Sequence, residues 1–304
     1  MSCSGHDCTD GAATAGPEPN PLADFPSLRK SPPSTPGTVP GFFLVRAEPP
    51  ARAGYADTMA FKDHFSRQAR DYERYRPRYP PELAAFVAAA APGRTLALDL
   101  ATGNGQAALD LAAHFERVLA SDASARQLAF ATPHPRVQYL RHAAERLPVR
   151  SGSADLIAVA QAAHWFDFGP FYAEARRVLR PRGVVALWTY ELFKIDAAVD
   201  ARVGRFYTEV VGPYWPPERR YVAQGYRTLP FPLEELPAPD FRLETDWSLD
   251  QVLSYLGTWS AVDRYRAAEG RDPLPALAEE LGADWPGGAS RRLSWPLHLR
   301  IGRV

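Results

Sequence analysis

The segment Leu96-Ala-Leu-Asp-Leu-Ala-Thr-Gly-Asn-Gly-Gln106 has the pattern of a strand, a tight turn and the start of a helix. A short apolar run carries one acid, Asp99, and the turn after it contains Gly103 and Gly105. Glycine lets the backbone turn sharply and approach a ligand closely. The turn would lie at the carboxyl end of a strand, where doubly wound sheets bind their ligands. We therefore predict a ligand-binding turn here.

The alternation of strand and helix continues along the chain from this turn. Apolar runs typical of strands cover 96–100, 117–121, 137–140, 156–160 and 184–188, and helical patterns cover 105–115, 124–130 and 168–179. Strands that alternate with helices predict a parallel sheet covered by helices on both faces. Two further strands are predicted at 241–247 and 293–304. The expected fold is a doubly wound, mostly parallel α/β sheet of seven strands.

The remaining segments predict a tail and a cap. Residues 1–58 contain ten of the thirty prolines and little that could form a core, so we expect a disordered tail. Whether this tail is a genuine extension or an over-extended reading frame stays open. Residues 59–304 are expected to form one domain, with its core at 93–189 and in the C-terminal strands. A helical cap is expected from 61–91 and 190–240.

Composition narrows the class of function. Lys plus Arg and Asp plus Glu number 35 each, and a net charge of zero disfavours a nucleic-acid partner. The two cysteines, Cys3 and Cys8, lie in the tail, which disfavours disulfide, zinc and iron–sulfur frameworks. No secretory signal and no run near about 20 apolar residues is found. We expect a cytoplasmic protein without a metal, a membrane anchor or an obligate protein partner.

The glycine turn fits two different cofactors. Gly103, Gly105 and Ala108 match the dinucleotide pattern G-x-G-x-x-A. Asp99 would repel a pyrophosphate, whereas the amino group and sulfonium of S-adenosylmethionine are positive and would be attracted. Asp122, at the predicted end of the second strand, is placed to accept the ribose hydroxyls of either cofactor, or else caps the helix that follows. An NAD-dependent oxidoreductase therefore stays an alternative.

Taken together, these motifs resemble the class I S-adenosylmethionine-dependent methyltransferases. The resemblance lies in Asp99-Leu-Ala-Thr-Gly-Asn-Gly-Gln106, Asp122, Ala144-Glu145-Arg-Leu-Pro148, Ser153-Ala-Asp-Leu-Ile157, Gln161-Ala-Ala-His-Trp-Phe-Asp167 and Pro181-Arg-Gly183. It covers about residues 61–190 and extends to the small-molecule branch that includes trans-aconitate methyltransferase-like proteins. It implies a Rossmann-like fold and methyl transfer to a small acceptor, such as a carboxylate or a hydroxyl. A relative that binds the cofactor without turnover is the other alternative. Ala101 replaces the family's first loop glycine, which a negative φ would tolerate.

The resemblance also implies a set of cofactor-binding residues. They are Tyr72, Asp99, Ala101, Thr102, Gly103, Gly105, Asp122, Ala123, Ala144, Glu145 and Gln161. The loop residues would surround the methionine moiety, Asp122 the ribose and Glu145 the adenine edge. Gln161 would lie close to the sulfonium. Tyr72, or alternatively Tyr75, would close over the cofactor from the N-terminal helix, with core packing as the alternative for either tyrosine.

His164 is the candidate catalytic residue, because it follows the predicted fourth strand on the side where an acceptor would meet the methyl group. It could act as a general base with a near-neutral pKa. It could instead only orient the acceptor or satisfy a buried carbonyl. Trp165 beside it could face a ligand or fill the core. The basic run Arg74-Tyr-Arg-Pro-Arg-Tyr79 is predicted to be a solvent-exposed face, because nearby acids offset its charge.

Overall fold

The computed structural model describes residues 76–285 and 288–304. The tail predicted at 1–58, the cap helix predicted at 61–75 and Tyr72 lie outside the described residues. Within the described part of the chain, no helix combines the length and the apolar character that crossing a membrane requires. The described residues form a mixed α/β fold around one sheet.

The sheet contains five parallel strands followed by an antiparallel edge. The strands are β1 Leu96–Leu100, β2 Arg117–Asp122, β3 Val137–Arg141, β4 Ala154–Ala160, β5 Leu179–Tyr190, β6 Glu234–Glu235, β7 Phe241–Trp247 and β8 Arg291–Arg303. Their order is β3-β2-β1-β4-β5-β8-β6, with β7 also paired to β8. Strands β1 to β5 pair in parallel, and β8 pairs antiparallel with β5. The predicted doubly wound, mostly parallel sheet is confirmed.

The described residues form eight strands, whereas seven are predicted, and the difference lies at the antiparallel edge of the sheet. Leu297 of β8 pairs with Tyr190 of β5 on one side and with Phe241 of β7 on the other. Arg303, near the other end of β8, pairs with Glu234 of β6 on the side away from β5. The two strands β6 and β7 therefore share the seventh position across the sheet. A two-residue strand has too little sequence pattern to be predicted.

Helices cover both faces of the sheet. They are α1 Pro81–Ala90, α2 Gln106–Ala112, α3 Ala125–Leu128, α4 Phe168–Val178, α5 Ala197–Arg205, α6 Arg219–Ala223, α7 Leu249–Gly257, α8 Ser260–Glu269 and α9 Leu274–Gly282. Local sequence explains where several of them begin. Pro81 occupies the first turn of α1, where its missing N–H costs nothing. Ser248 and Gln251 form a reciprocal capping box at the start of α7.

Two hydrophobic clusters pack against the two faces. Along β1, Leu98 and Leu100 enter the cluster that contains Phe171 of α4. Ala97 enters the other cluster, which contains Leu83 of α1. These side chains are at most 1% exposed, and burying each large one stabilises the fold by about 1.5–3 kcal/mol. Packed side chains therefore cover both faces of the sheet. A ligand can bind at the carboxyl ends of the strands, as in other doubly wound sheets.

Aromatic rings join the C-terminal helices to the sheet edge. Trp295 of β8 is fully buried, with its ring centroid 5.2 Å from Trp247, 5.6 Å from Phe193 and 5.8 Å from Tyr255. Some of the tryptophans in the C-terminal half of the chain therefore belong to the hydrophobic core. The cap over 190–240 contains α5, a π-helical turn at Phe206–Val210 and α6. Helices α7 to α9 lie between β7 and β8 in the chain, where helices are predicted.

Candidate active site

The turn after β1 has the left-handed backbone that its glycines suggest. Ala101, Gly103 and Gly105 have φ values of 54°, 60° and 90°. The condition under which alanine would be tolerated at position 101, a negative φ, is therefore not met, and a non-glycine residue in this region costs about 1–2 kcal/mol. The Thr102 N–H donates to the Ser121 carbonyl at 3.0 Å, which holds the turn against β2. Strained backbone of this kind is typical of binding sites.

Asp99 is a fully buried carboxyl group directly before this turn. Its Oδ2 accepts from the Thr102 hydroxyl at 2.5 Å. Its Oδ1 is buried and has no hydrogen-bond partner of normal geometry among the described residues. Burial, with smaller contributions from Asp122 and Asp110, raises the pKa of Asp99 to about 7, against the lowering effect of Thr102 and the Ala108 N–H. This buried oxygen without a partner, next to the predicted ligand-binding turn, could accept from a positively charged group. The amino group of S-adenosylmethionine is such a group.

Asp122 lies at the end of β2, as predicted, and is almost completely buried. Its Oδ2 accepts from the Gly103 N–H at 2.9 Å, and its Oδ1 accepts from the Ser124 N–H at 2.8 Å. The cap of the following helix is Ser124, whose Oγ accepts from the Gln127 N–H, so the capping alternative does not belong to Asp122. A carboxylate oxygen can accept more than one hydrogen bond, so these contacts are compatible with binding of a ribose hydroxyl.

Replacing Asp122 with alanine is expected to weaken binding of S-adenosylhomocysteine, measured by titration calorimetry, by about 1.5–3 kcal/mol. This is the scale of hydrogen bonds to a charged group, and the variant also loses the contact to Gly103. Asp167→Ala is the control, since Asp167 likewise accepts a backbone N–H next to a helix but lies outside the turn. A folded Asp122→Ala protein with an unchanged dissociation constant would contradict the ribose role.

The other predicted cofactor residues follow β2, β3 and β4. Ala123 accepts at its carbonyl from the Arg141 side chain at 3.2 Å. Ala144 is buried, and Glu145 Oε1 accepts from the Asp167 N–H at 3.2 Å. These residues come from the loops at the same edge of the parallel sheet as the turn after β1. Their contacts to adenine and ribose stay predictions.

Gln161 ends β4 in a left-handed conformation, with φ 60°. Its backbone N–H donates to the Trp188 carbonyl, and its Oε1 accepts from the Thr189 hydroxyl, both at 2.9 Å. Its Nε2 is buried without a hydrogen-bond partner in the described part of the chain. Since Gln161 lines a cavity, this amide group is a donor available to a ligand.

This cavity is a cleft that opens to solvent, and its empty space is about 530 Å³ when the adjoining open solvent is included. Aromatic residues form much of its wall: Trp165, Tyr190, Trp215, Tyr255 and Trp259. Its other lining residues are Arg76, Gln161, His164, Pro216, Arg219 and Ser260. The aromatic wall and the few polar groups are typical of small-molecule sites. Trp165 contributes to the wall, which favours the ligand-facing alternative for that residue.

His164 lies in a 3₁₀ turn after β4, where its side chain is buried. Its Nδ1 is 2.9 Å from the Tyr226 hydroxyl oxygen. Burial, and secondarily the charge of Arg219, lowers the pKa of His164 to about 3. This lowered pKa disfavours the general-base alternative for His164, because burial destabilises the imidazolium. At neutral pH the ring is uncharged and a weak base, so orientation of the acceptor is the better-supported role.

Sequence reasoning missed the cationic residues of the cavity. Arg76 belongs to the run predicted to face solvent, yet it donates to the Tyr190 hydroxyl at 3.1 Å and lies over the Tyr255 ring. That prediction is wrong for Arg76, because acids nearby in sequence do not determine which surface a side chain meets. Arg219 comes from the cap, where the segment around Trp215 had no functional pattern.

The chain is similar to known methyltransferases in sequence and in fold. Residues 98–187 match the family described as "Methyltransferase domain". A Dictyostelium discoideum protein named as a methyltransferase is 36% identical over 225 residues, which are 73% of this chain and 86% of that protein. A Saccharomyces cerevisiae protein named as an S-adenosylmethionine-dependent methyltransferase is 25% identical over 132 residues, 40% of this chain and 45% of the relative. A solved structure from Anaeromyxobacter dehalogenans, described as a type II methyltransferase, is 47% identical, with a TM-score of 0.71, and the match covers 75% of this chain and 98% of that one.

Proposed function

The chain belongs to the class I S-adenosylmethionine-dependent methyltransferases, and from this premise we propose that it methylates a small molecule held in the aromatic cavity. One observation carries the proposal. Gln161 stands at the end of β4, among the loops predicted to bind the cofactor, and also lines the cavity. The cofactor and the acceptor can therefore meet at this residue. No relative or structure above supports the NAD-dependent alternative.

The chain's own residues fit the cofactor's charges. S-adenosylmethionine, when bound, supplies an electrophilic methyl group on a sulfonium. Asp99 would accept from its amino group through the unsatisfied Oδ1, and Asp122 from its ribose hydroxyls. The aromatic wall would exclude water and orient the acceptor. Alignment and proximity are the main contributions that a protein can make to a reaction of this kind.

The test is the destination of the methyl group. The enzyme would be incubated with methyl-labelled S-adenosylmethionine and a metabolite extract, and small molecules would then be separated from protein and nucleic acid. We expect the label in the small-molecule fraction, and a strong reduction with the Asp122→Ala variant. Label found only in protein or nucleic acid, or no transfer at all, would contradict the proposal.

Replacing His164 with alanine is expected to lower kcat/KM about tenfold, the scale of one orienting hydrogen bond, with cofactor binding near wild type. The imidazole of His164 lies beside Tyr226 and near the charge of Arg219, and its pKa is lowered to about 3. The ring therefore stays uncharged at all ordinary pH values. At saturating S-adenosylmethionine, where cofactor binding no longer limits the rate, the rate–pH profile of the wild type should therefore have no limb near 6.5, the ordinary value for histidine. Steady-state kinetics over a range of pH would measure both the loss in kcat/KM and the shape of the rate–pH profile. A limb near 6.5 that the variant lacks, with a loss of about 10²–10⁴-fold, would restore the general-base role.

A further inference from the structure

Each polar side chain described in the cavity lining can donate a hydrogen bond, and those of arginine and tryptophan can only donate. Arg76 and Arg219 bring two guanidinium groups. The Nε2 of Gln161 and the Nε1 of Trp215 are buried and have no partner among the described residues. No Asp or Glu is found among the described residues that line the cavity. A buried donor without an acceptor is energetically unfavourable, so this site is complementary to a ligand rich in acceptor oxygens and negative in charge.

Arg219 is held in place by aromatic residues. It begins α6, and its Nε donates to the Tyr207 hydroxyl at 3.2 Å. Its guanidinium carbon lies 4.5 Å from the centroid of the Trp215 ring. Tyr207 belongs to the π-helical turn at Phe206–Val210, a rare conformation often found at functional sites. In the described part of the chain no carboxylate lies within ion-pair distance of Arg219, so its charge is available to a ligand.

We propose that the acceptor is a small carboxylic acid with a flat apolar body, bound by Arg219 through its carboxylate and by the aromatic wall through its body, and that this carboxylate receives the methyl group. The inference rests on the proposed function and adds the chemical class of the substrate. Trp215 and Trp259 offer ring faces to the body of the acid. The N–H groups of Gln161 and Trp215 would satisfy carboxylate oxygens.

A carboxylate acceptor needs no base, and among the described lining residues the Nδ1 of His164 is already in contact with the Tyr226 hydroxyl. A hydroxyl or amine acceptor must lose a proton when it is methylated, whereas an ionised carboxylate has none to lose. In the step itself, a carboxylate oxygen uses a lone pair to bond to the methyl carbon. The carbon–sulfur bond breaks, its electron pair stays on sulfur, and the opposite charges of acceptor and sulfonium both disappear. Among the described lining residues the candidate base is His164, which contacts Tyr226 and has a lowered pKa.

Arg219 is a sharper probe of this site than Arg76. The segment that carries Arg76 also contacts the start of α2, since Gln106 Nε2 donates to the Pro77 carbonyl at 3.2 Å. Arg76 could therefore act on the carboxylate of the cofactor as well as on the acceptor. Arg219 comes from the cap, where it begins α6 and lines the cavity. Its neighbour Arg220 lies outside the cavity lining, contacts Tyr221 and provides a matched control.

The first experiment measures binding without turnover. Cinnamate, phenylacetate and indole-3-acetate, each paired with its uncharged primary amide, would be titrated by calorimetry into the protein saturated with S-adenosylhomocysteine. At least one carboxylate should bind about 10- to 100-fold more tightly than its amide, as expected for a hydrogen bond to a charged group. Arg219→Gln should remove that preference. Arg220→Gln should keep it, and Arg219→Lys should keep part of it.

Three results would overturn the inference. They are equal binding of every acid and its amide, no binding by any acid, and an equal loss of the preference in Arg219→Gln and Arg220→Gln. Circular dichroism verifies that each variant is folded, and the comparison of acid with amide in the wild type is decisive without any variant.

The second experiment separates this inference from the proposed function. Methyl esters are hydrolysed by mild alkali and release their label as volatile methanol, whereas methyl ethers and methylamines do not. The label transferred to small molecules should therefore become volatile after alkali treatment. Alkali-stable label in small molecules would overturn the carboxylate inference and leave the proposed function intact. Failure of all transfer to small molecules would instead contradict the proposed function.

Discussion

Replacing Asp99 with asparagine is expected to weaken S-adenosylhomocysteine binding about 100- to 1,000-fold at neutral pH. Asparagine preserves the shape of the side chain and an acceptor for the Thr102 hydroxyl, but it removes the negative charge. The amino group of the ligand would then be buried without a counter-charge, a loss on the scale of a broken buried ion pair. Titration calorimetry of the wild type and the variant measures the effect.

The same substitution should abolish a pH dependence. Because the pKa of Asp99 is raised to about 7 in the free protein, the carboxyl group is protonated below that pH and must ionise to pair with the ligand's ammonium. Affinity should therefore rise about tenfold per pH unit up to about pH 7 and then become constant. The asparagine variant should show no such rise.

Asp110 is the control for this prediction. Burial also raises its pKa, to about 6, and it is one of the charges that act on Asp99. Asp110→Asn should keep the tight binding and most of the rise with pH. Tight, pH-independent binding by the wild type, or equal effects of the two substitutions, would contradict the assignment of Asp99 to the amino group.

Replacing Asp155 with alanine is expected to lower the free energy of unfolding by about 3–5 kcal/mol. The carboxylate is completely buried at the start of β4 and accepts from the N–H groups of Thr95 and Leu96, both at 2.9 Å. Its other oxygen lies 2.9 Å from Arg180. Removal leaves two backbone donors and a partly buried cation without their acceptor. Urea unfolding with an unchanged m-value would measure the loss.

The location of Asp155 gives this prediction a second readout. It lies at the amino end of the parallel strands, away from the cofactor turn, so the folded fraction of Asp155→Ala should bind S-adenosylhomocysteine normally. Asp246→Ala is the matched control, because Asp246 pairs with Arg292 where both side chains are largely exposed and water screens the pair. Little destabilisation by Asp155→Ala, or a loss equal to that of Asp246→Ala, would contradict the role given to Asp155.

Local pattern was sufficient to predict most of the sheet. The bounds of β1 and β7 agree with prediction, because each is an apolar or alternating run between polar residues or turn residues. Strand β5 begins at Leu179, earlier than predicted. Pro181-Arg-Gly183 lies before the predicted strand, and Arg182 has the positive φ, 65°, that is typical of a turn. The pairing of Leu179 with Ala154 nevertheless carries the strand across that irregularity, and such tertiary pairing leaves no local pattern.

The candidate site also has one part that local sequence predicts and another that it does not. The turn after β1 was predictable, because one short segment combines a strand end, two glycines and an acid. Asp122 was predictable because it is an acid at the end of the next strand. Gly105 illustrates this constraint, since its φ is 90° and a side chain there would collide with Tyr139. The cavity was not predictable, because segments distant in sequence assemble it. Arg219 and Gln161 lie in the same cavity only after the cap has packed on the sheet.

The most direct test of the account is a crystal structure of the enzyme with S-adenosylhomocysteine bound. We expect the ribose hydroxyls on Asp122 and the amino group on Asp99. The sulfur should lie at Gln161 and face the aromatic cavity, since the methyl group must be delivered there. A ligand whose sulfur faces away from the cavity, or is separated from it by a wall of side chains, would contradict the account.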